Sequence, residues 1–371
     1  MKKTQLFEYH SKHAKLTEFA GYEMPLWYTT ITEEHMAVRN KCGIFDVSHM
    51  GRFSVQGKDS GRFLEGLVPT SVQSQPDAKS FYTLLLNEAA GIIDDLIIMR
   101  KTGTDFLVVV NAANASRDLD HIRRRSGGYD VQIDDVTGRT AMIAVQGPEA
   151  AAALQRLTAV DLMALKRFRS IDGEALGRRC TISRTGYTGE DGFEVIVYDT
   201  TVDDPAAAAA VWDALAKPAK PCGLGARDSL RLEAGFPLHG SDIDDKTNPF
   251  EAGLSWVVSA DKTGYVGYDA VSRLRASPPA RVRRGIVLDE GIPRHGFEVL
   301  DAQGGVAGQV TSGTFSPVLR KGIALAMIRR DIPESSGARV RIRETSFPGR
   351  YVKPPFYDES LYGWKRGSKS K

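Results

Sequence analysis

The amino-acid sequence predicts an α+β protein whose C-terminal part consists of β-strands alone. Residues 51–148 pass through short segments in the order β-α-β-β-β-α-β, judged from alternating or continuous apolar runs and from helical spacing. This order is typical of an antiparallel sheet with helices packed against it. From residue 281 onward, five short apolar segments follow at near-regular spacing. Such spacing favours a separate all-β domain at the C-terminus.

The central part of the first region is a predicted hairpin. The apolar runs GIIDDLIIMR and FLVVVNAA are joined by RKTGTD, a connector rich in turn-forming residues. SFYTLLL precedes this pair as another strand, and SRDLDHIRRR follows it as an amphipathic helix. Helical spacing also indicates a helix over 32–41, capped by Thr30 or Thr32.

The second half of the chain contains stronger helix signals. PEAAAALQRL, DPAAAAAVWDALAK and GARDSLRLEAG are predicted helices, and Gly235 ends the last of them. RCTISRT and GFEVIVY are predicted strands on either side of a glycine-rich loop. Residues 275–284, RASPPARVRR, combine two prolines with several charges and form the best candidate for an interdomain linker.

Composition excludes several classes of protein. The 371 residues are 42% hydrophobic and 26% charged, which is typical of a folded chain of two or three domains. The net charge of +3 at pH 7 is too small to indicate a nucleic-acid-binding protein. No window approaches 18 consecutive apolar residues, and the N-terminus lacks the apolar run of a secretory signal. We therefore expect no membrane span and no export.

The cysteines indicate neither a metal site nor a disulfide framework. Cys42, Cys180 and Cys222 are widely spaced, without a CxxC motif or a Cys/His cluster. Three such thiols fit a reducing compartment, so we expect a cytoplasmic protein without a bound metal. Basic residues are concentrated at the end of the chain, where residues 281–371 contain 17 Lys and Arg against 9 Asp and Glu. This excess either attracts an anionic partner or is a solvated surface with a basic tail.

A pair of carboxylates interrupts the apolar run at Asp94 and Asp95. Because successive strand residues point to opposite faces, one of the two should face the interior and the other outward. A buried, unpaired carboxylate costs several kcal/mol, and burial raises its pKa into a range suited to proton transfer or hydrogen bonding. The alternative is a strand end or bulge at which both side chains are exposed to solvent.

Two further polar segments are candidates for a binding site. The loop RTGYTGEDGFE spaces three glycines three residues apart and presents Tyr187 and Glu194. A carboxylate at the position of Glu194 can accept two parallel N–H bonds from an aminopyrimidine-like edge, whereas the alternative is a polar hairpin turn. Arg227 lies near the start of its predicted helix, where a cation opposes the helix dipole. Either a ligand or an Arg227–Asp228 bridge between domains would offset this cost.

Seven segments occur together and in order, and as a set they resemble the T-protein family of the glycine cleavage system, the tetrahydrofolate-dependent aminomethyltransferases. The resemblance extends from about residue 5 to residue 355. The segments are FAGYEMPLWY (19–28), GIFDVSHMG (43–51), NEAAGIIDDLII (87–98), RTGYTGEDGFE (184–194), CGLGARDSLRLEAG (222–235), NPFEAGLSWVV (248–258) and GQVTSGTFSPVLRKGIALA (308–326).

The resemblance implies a three-lobed, cloverleaf α+β chain around a central folate channel. It implies folate-binding core lobes, partly discontinuous, from residues 1–50 and about 140–274. Residues 51–139 would form an α+β lobe that carries the Asp94–Asp95 strand, and residues 275–371 an all-β lobe with the basic tail. The implied reaction moves an aminomethyl unit from the dihydrolipoyl arm of H protein to tetrahydrofolate. It releases ammonia and forms 5,10-methylenetetrahydrofolate.

The resemblance also implies roles for individual residues. Asp95 matches the family's catalytic carboxylate, which leaves Asp94 as the outward neighbour. Glu194 matches the carboxylate at the pterin edge. Further positions that match the folate site are Tyr82, Asn111, Tyr187 and Arg227, with Met50 packed against the pterin.

The chain departs from the family pattern at two places. Ala90 replaces one of two glycines that usually precede the aspartate pair, which implies a modest change of the loop. The family's C-terminal ligand contact has no clean match, although Tyr357 and Tyr362 lie close to its position in the sequence. We therefore leave that contact unassigned.

Three alternatives to glycine cleavage stay open. A tetrahydrofolate-dependent demethylase of a small methylated compound would use the same folate pocket without a channel for a lipoyl arm. A non-catalytic folate-binding protein of iron–sulfur assembly would resemble K-G-C-Y-x-G-Q-E in the glycine-rich loop, whereas this chain has R-T-G-Y-T-G-E-D and no cysteine there. A purely structural module would not explain a carboxylate within a buried strand.

Overall fold

The computed structural model describes residues 1–367 and shows a mixed α/β chain. It confirms the predicted mixture of helices and strands. The helices over this range are α1 (Phe7–His13), α2 (Ile31–Asn40), α3 (Ser60–Leu67), α4 (Ala115–Arg124), α5 (Ala150–Gln155), α6 (Ala206–Leu215), α7 (Leu224–Ala234) and α8 (Tyr268–Arg275). None of these helices has the length and apolarity needed to cross a membrane.

The strands of the same range assemble into a two-stranded, a five-stranded and a six-stranded sheet and a closed barrel. They are β1 (Lys15–Phe19), β2 (Tyr22–Trp27), β3 (Gly43–Asp46), β4 (Gly51–Gln56), β5 (Lys79–Leu86), β6 (Ile92–Thr102), β7 (Asp105–Val110), β8 (Gln132–Asp135), β9 (Thr140–Gln146), β10 (Ser170–Ala175), β11 (Arg178–Ser183), β12 (Gly192–Tyr198), β13 (Lys220–Pro221), β14 (Arg281–Leu288), β15 (Glu298–Leu300), β16 (Val306–Ser316), β17 (Lys321–Arg329), β18 (Ala338–Ile342) and β19 (Thr345–Val352).

The five-stranded sheet has the order β5-β6-β7-β4-β8, and all of its pairs are antiparallel. The predicted hairpin is confirmed, because β6 and β7 are neighbours joined by a short turn. One face packs on α3 and α4 through buried apolar side chains such as Phe63 and Ile122. This packing follows from the apolar stripe of each helix.

The six-stranded sheet combines β3, which precedes the five-stranded sheet in the sequence, with five strands that follow it. Its order is β10-β11-β12-β9-β3-β13, so that β3 pairs with β9 although about 100 residues separate them. A buried apolar cluster that includes Met99, Val109 and Met142 connects this sheet with the five-stranded one. The predicted domain boundaries themselves stay a prediction.

The C-terminal region is a closed barrel of six strands, in the order β14-β17-β16-β15-β18-β19. The prediction of an all-β region is therefore confirmed, although the sixth strand, β19, was not predicted because its sequence TSFPGRYV contains proline and glycine. The predicted linker is too long. Helix α8 ends at Arg275 and β14 begins at Arg281, so Arg281–Arg284 belong to the barrel.

Candidate active site

One cavity of about 560 Å³ lies where the two large sheets, helix α7 and the barrel meet. Its walls are mostly apolar, with a few polar side chains pointing inward, which is the usual character of a small-molecule site. All the site residues predicted from the sequence line this cavity, namely Met50, Tyr82, Asp95, Asn111, Tyr187, Glu194 and Arg227. The structure thus brings them together, whereas their individual roles stay predictions.

Asp95 points into the cavity from the middle of β6. Its carboxylate accepts a hydrogen bond of 3.0 Å from the Tyr82 hydroxyl and one of 2.9 Å from the Asn111 side-chain amide. Tyr82 comes from β5 and Asn111 follows the end of β7, so the two strands beside β6 each supply one donor. The position of the carboxylate is therefore set by rigid elements of the sheet.

The expectation that Asp94 faces outward is wrong. The alternation of faces holds, but the second face of the sheet is covered by the start of α4, and Asp94 is 0% exposed. Its carboxylate accepts hydrogen bonds from the backbone N–H of Asn111 at 2.9 Å, from the Asn111 amide at 2.8 Å and from the Asn114 amide at 2.6 Å. Asp94 is thus a buried carboxylate behind the cavity wall, held by three N–H donors.

The electrostatic environment favours the neutral form of Asp95. Burial, followed by the negative charge of Asp94, raises the pKa of Asp95 to about 7. The hydrogen bonds from Tyr82 and Asn111 oppose this rise because they stabilise the carboxylate. A carboxyl group that titrates near neutral pH can both take up and release a proton under ordinary conditions.

Glu194 lies on β12 at another wall of the cavity, opposite Ala144 of β9. Its carboxylate accepts a hydrogen bond of 2.5 Å from the Thr185 hydroxyl. Burial raises the pKa of Glu194, while Thr185 and the positive charge of Arg227 act in the opposite direction. Thr185 is the one hydrogen-bonding partner of the Glu194 carboxylate within the described part of the chain, so a ligand could still offer it N–H donors.

Arg227 is a half-buried cation with one guanidinium nitrogen left without a hydrogen-bond partner. Its Nη1 atom is inaccessible to solvent and has no hydrogen-bond partner among the described residues. The guanidinium lies 4.9 Å from the centre of the Tyr187 ring, which gives it a cation–π contact. The alternative of an Arg227–Asp228 bridge is wrong, because Asp228 pairs with Arg231 one turn later on α7.

The glycine-rich loop is held against the segment after α7. The Tyr187 hydroxyl donates a hydrogen bond to the Pro237 carbonyl oxygen, and the Tyr187 ring stacks on Phe236 with 5.8 Å between the ring centres. Gly223 is the N-cap residue of helix α7, and an added Cβ there would lie 2.4 Å from the Leu26 backbone. This close approach explains why glycine stands there.

Several residues of the site were not predicted from the sequence. Trp256 lines the cavity, is 68% exposed, and stacks on Tyr82 with 5.7 Å between ring centres. Its place in NPFEAGLSWVV was the signal that could have found it. Asn114 was missed because it contacts Asp94 rather than the cavity. The cavity also has three unpredicted basic residues in its lining, Arg283, Arg284 and Lys353.

Neither candidate for the C-terminal contact lines the cavity. The Tyr357 ring is buried 4.4 Å from the Arg39 guanidinium, and Tyr362 stands edge-on to Tyr357. Lys353 and Pro354 are the residues of the C-terminal segment that line the cavity. Ala90, the second position at which the chain departs from the family pattern, adopts a left-handed φ of 66° in the turn before β6. The conformation that glycine would favour is therefore kept, with alanine in its place.

The fold and the cavity agree with the result of comparison against known families. Residues 6–262 match the GCVT N-terminal domain, and residues 281–358 match the glycine cleavage T-protein C-terminal barrel domain. The two matches define the class of a tetrahydrofolate-dependent transferase. More specifically, the chain belongs to the glycine cleavage T-protein family, the aminomethyltransferases, which confirms the resemblance seen in its motifs.

Individual relatives extend over nearly the whole chain. An aminomethyltransferase of Thermotoga neapolitana is 41% identical over 372 residues, which cover 97% of this chain and 99% of that protein. One from Geobacillus kaustophilus is 44% identical over 367 residues, with coverages of 96% and 99%. The crystal structure of glycine cleavage system aminomethyltransferase T from Bartonella henselae has a TM-score of 0.90 at 33% identity and covers 98% of this chain and 99% of that one.

Proposed function

We propose that the protein transfers the aminomethyl unit carried on the dihydrolipoyl arm of H protein to tetrahydrofolate. The transfer releases ammonia and yields 5,10-methylenetetrahydrofolate and the reduced lipoyl arm. The single observation that carries this proposal is the cavity in which Asp95, Glu194 and Arg227 meet in the interior of a T-protein-family chain. In this proposal the cavity is the central folate channel of a three-lobed chain.

The residues present fit a reduced folate. A pterin is flat and largely apolar on its faces, and Met50, Leu96 and Met142 supply apolar walls. Its edge carries N–H donors and oxygen and nitrogen acceptors. Glu194 would accept from the donors, and the unsatisfied guanidinium of Arg227 would donate to an acceptor. Each charge-assisted bond of this kind contributes about 1.5–3 kcal/mol.

Tyr187 and Tyr82 would complete the folate site. Tyr187 presents an aromatic face beside Arg227, and Tyr82 presents its ring between Asp95 and Trp256. The basic side chains in the cavity lining would hold the anionic end of the folate, because a carboxylate is attracted to Arg and Lys.

The reaction requires a nitrogen nucleophile, which tetrahydrofolate supplies when it is bound. The protein's own contribution is the carboxylate of Asp95, which would stabilise positive charge as it develops on nitrogen and hold a proton during the transfer. Tyr82 and Asn111 fix the orientation of that carboxylate. The apolar walls exclude water, which strengthens this electrostatic effect.

The location of the reaction is a further part of the proposal. Cys42, Cys180 and Cys222 are all free and buried, and unpaired thiols are typical of a reducing compartment. This supports a cytoplasmic enzyme.

The test supplies aminomethyl-loaded H protein with and without tetrahydrofolate and measures the ammonia released. We expect rapid release only when tetrahydrofolate is present. A matched sample with H protein that lacks the lipoyl arm should release none. No release in either case, together with folate-dependent consumption of a dimethylated amine or a sulfonium compound, would overturn the proposal and support a demethylase instead.

A further inference from the structure

A second buried carboxyl group lies behind the cavity wall and belongs to no site described so far. Asp118 is on α4, one turn after the helix begins, and is 0% exposed. Neither of its oxygens receives a hydrogen bond from any donor among the described residues. Its carboxyl group lies within hydrogen-bonding reach of the Asp94 carboxylate. This inference rests on the proposed function, because it concerns the support of Asp95.

Two carboxyl groups in contact and shielded from water cannot both be ionised. Asp94 already accepts three N–H bonds, from the backbone and amide of Asn111 and from the amide of Asn114. Asp118 accepts none. The negative charge therefore belongs on Asp94 and the proton on Asp118, where it can be donated to Asp94. Burial, and then the charge of Asp94, raise the pKa of Asp118 to about 10, in agreement with this assignment.

The groups around this pair do not supply a competing proton. Asn114 donates to Nδ1 of His239 at 3.0 Å, and Nε2 of His239 lies 3.1 Å from the Ile92 carbonyl oxygen. In this arrangement Nδ1 of His239 accepts from Asn114 and Nε2 donates to Ile92. Arg117 directs its guanidinium to the Ile93 carbonyl oxygen and to Asp245. On the cavity side, the groups that face Asp95 are the Tyr82 hydroxyl and the Asn111 amide.

Asn111 connects the buried pair with the cavity. Its single amide nitrogen lies 2.8 Å from Asp94 Oδ1 and 2.9 Å from Asp95 Oδ1, so it holds both carboxylates at once. We propose that Asp118 is a positioning residue whose protonated carboxyl group donates to Asp94, and that Asp94 thereby holds Asn111 against Asp95. Asp118 touches neither the cavity nor a substrate, and it acts on the reaction through Asn111 alone.

The proton on Asp118 can be detected without any folate or H protein. Infrared spectroscopy of the free protein at a pH of about 8 should show the C=O band of a protonated carboxyl group. The band should disappear in Asp118→Asn and persist in the control Asp120→Asn, since Asp120 is exposed on the same helix. A spectrum in which Asp118→Asn removes no such band would overturn the proposal.

The positioning role is tested by activity and by its dependence on pH. Asp118→Leu keeps the volume but removes the donor, so we expect at least a tenfold loss of turnover. Because the Asn111 hydrogen bond stabilises the Asp95 carboxylate, its loosening should raise the pKa of Asp95 and move the acid limb of the rate profile to higher pH. Asp118→Asn, which keeps a neutral donor, should restore most of the turnover and the original limb.

The controls separate this inference from the proposed function. Asp120→Leu should keep the turnover and the pH profile of the unaltered protein. If the infrared band is present but Asp118→Leu turns over normally, the positioning role is refuted. If the unaltered protein itself releases no ammonia, the proposed function fails. The infrared band would still show whether Asp118 is protonated. Should the leucine variant not fold, Asp118→Ala replaces it and the infrared comparison stands unchanged.

Discussion

The hydroxyl of Tyr82 donates a hydrogen bond of 3.0 Å to the carboxylate of Asp95 across neighbouring strands of one sheet. Cross-strand neighbours on a rigid sheet hold their side chains in a defined geometry. The carboxylate is thus positioned before any substrate arrives, and pre-positioned charge is what an electrostatic contribution to catalysis requires.

Replacing Asp95 with asparagine should separate binding from turnover. The amide has the same shape as the carboxyl group but carries no charge, so we expect the fold and the affinity for tetrahydrofolate to persist. Turnover should fall by about 10²–10³-fold, the usual effect of losing one such group. Ammonia release and calorimetric folate binding measure the two quantities. Turnover equal to that of the unaltered protein would refute the assigned role.

The rate should depend on pH through the same carboxyl group. Burial and the charge of Asp94 raise the pKa of Asp95 to about 7, so the group is mostly neutral below that pH and mostly ionised above it. If the carboxylate is the active form, the single-turnover rate should rise with pH up to about 7 and then level off. Asp95→Asn should lose this limb. A profile that is flat between about pH 5.5 and 8 would contradict the prediction.

Replacing Glu194 with alanine should weaken folate binding more than it slows the bound complex. Loss of one charge-assisted hydrogen bond of about 1.5–3 kcal/mol corresponds to an increase of Kd by roughly 10–150-fold. Calorimetric titration with tetrahydrofolate measures the change. Glu174→Ala, at an exposed position of the same sheet, serves as the matched control. Equal affinities of the two variants would exclude a contact between Glu194 and folate.

Arg227→Met should raise the free energy of unfolding and lower the affinity for tetrahydrofolate. The change removes a buried guanidinium nitrogen without a partner, while it also loses a cation–π contact with Tyr187 worth about 0.5–1 kcal/mol. Because one unsatisfied buried donor costs about 1–3 kcal/mol, more than the cation–π contact contributes, the free energy of unfolding should rise by about 1 kcal/mol. Folate affinity should fall at the same time. Chemical denaturation and calorimetry check both, and a destabilised variant with normal affinity would contradict the interpretation.

The main elements of the fold could be predicted because their signals are local. The hairpin of β6 and β7 and helix α7 with Gly235 at its end follow from apolar runs and turn residues. The N-terminal hairpin of β1 and β2 and the barrel strand β19 were missed. Their sequences are polar or contain proline, and partner strands rather than their own pattern give them their conformation.

The sequence predicted the site residues that lie in recognisable motifs. It did not predict the buried contacts that depend on how helices pack on the sheet. Asp95 and Glu194, which their motifs indicated, line the cavity. Asp94 is buried because α4 covers the other face of its sheet. No local pattern shows which helix covers a given strand face. For the same reason, the contact of Asp118 with Asp94 has no counterpart in the sequence.

The left-handed turn at Ala90 sets backbone strain against side-chain packing in the heat resistance of the enzyme. A residue with a Cβ atom at a φ of 66° gives up about 1 kcal/mol or more of stability relative to glycine. The turn leads into β6, the strand that carries Asp95, yet Ala90 itself lies outside the cavity. A glycine at this single position would relieve that strain, but it would also remove a methyl group buried in the cluster with Leu86 and Ile92 and make the unfolded chain more flexible. The melting temperature of the glycine variant therefore reports which of these opposing effects is larger, while the lining of the cavity stays unchanged.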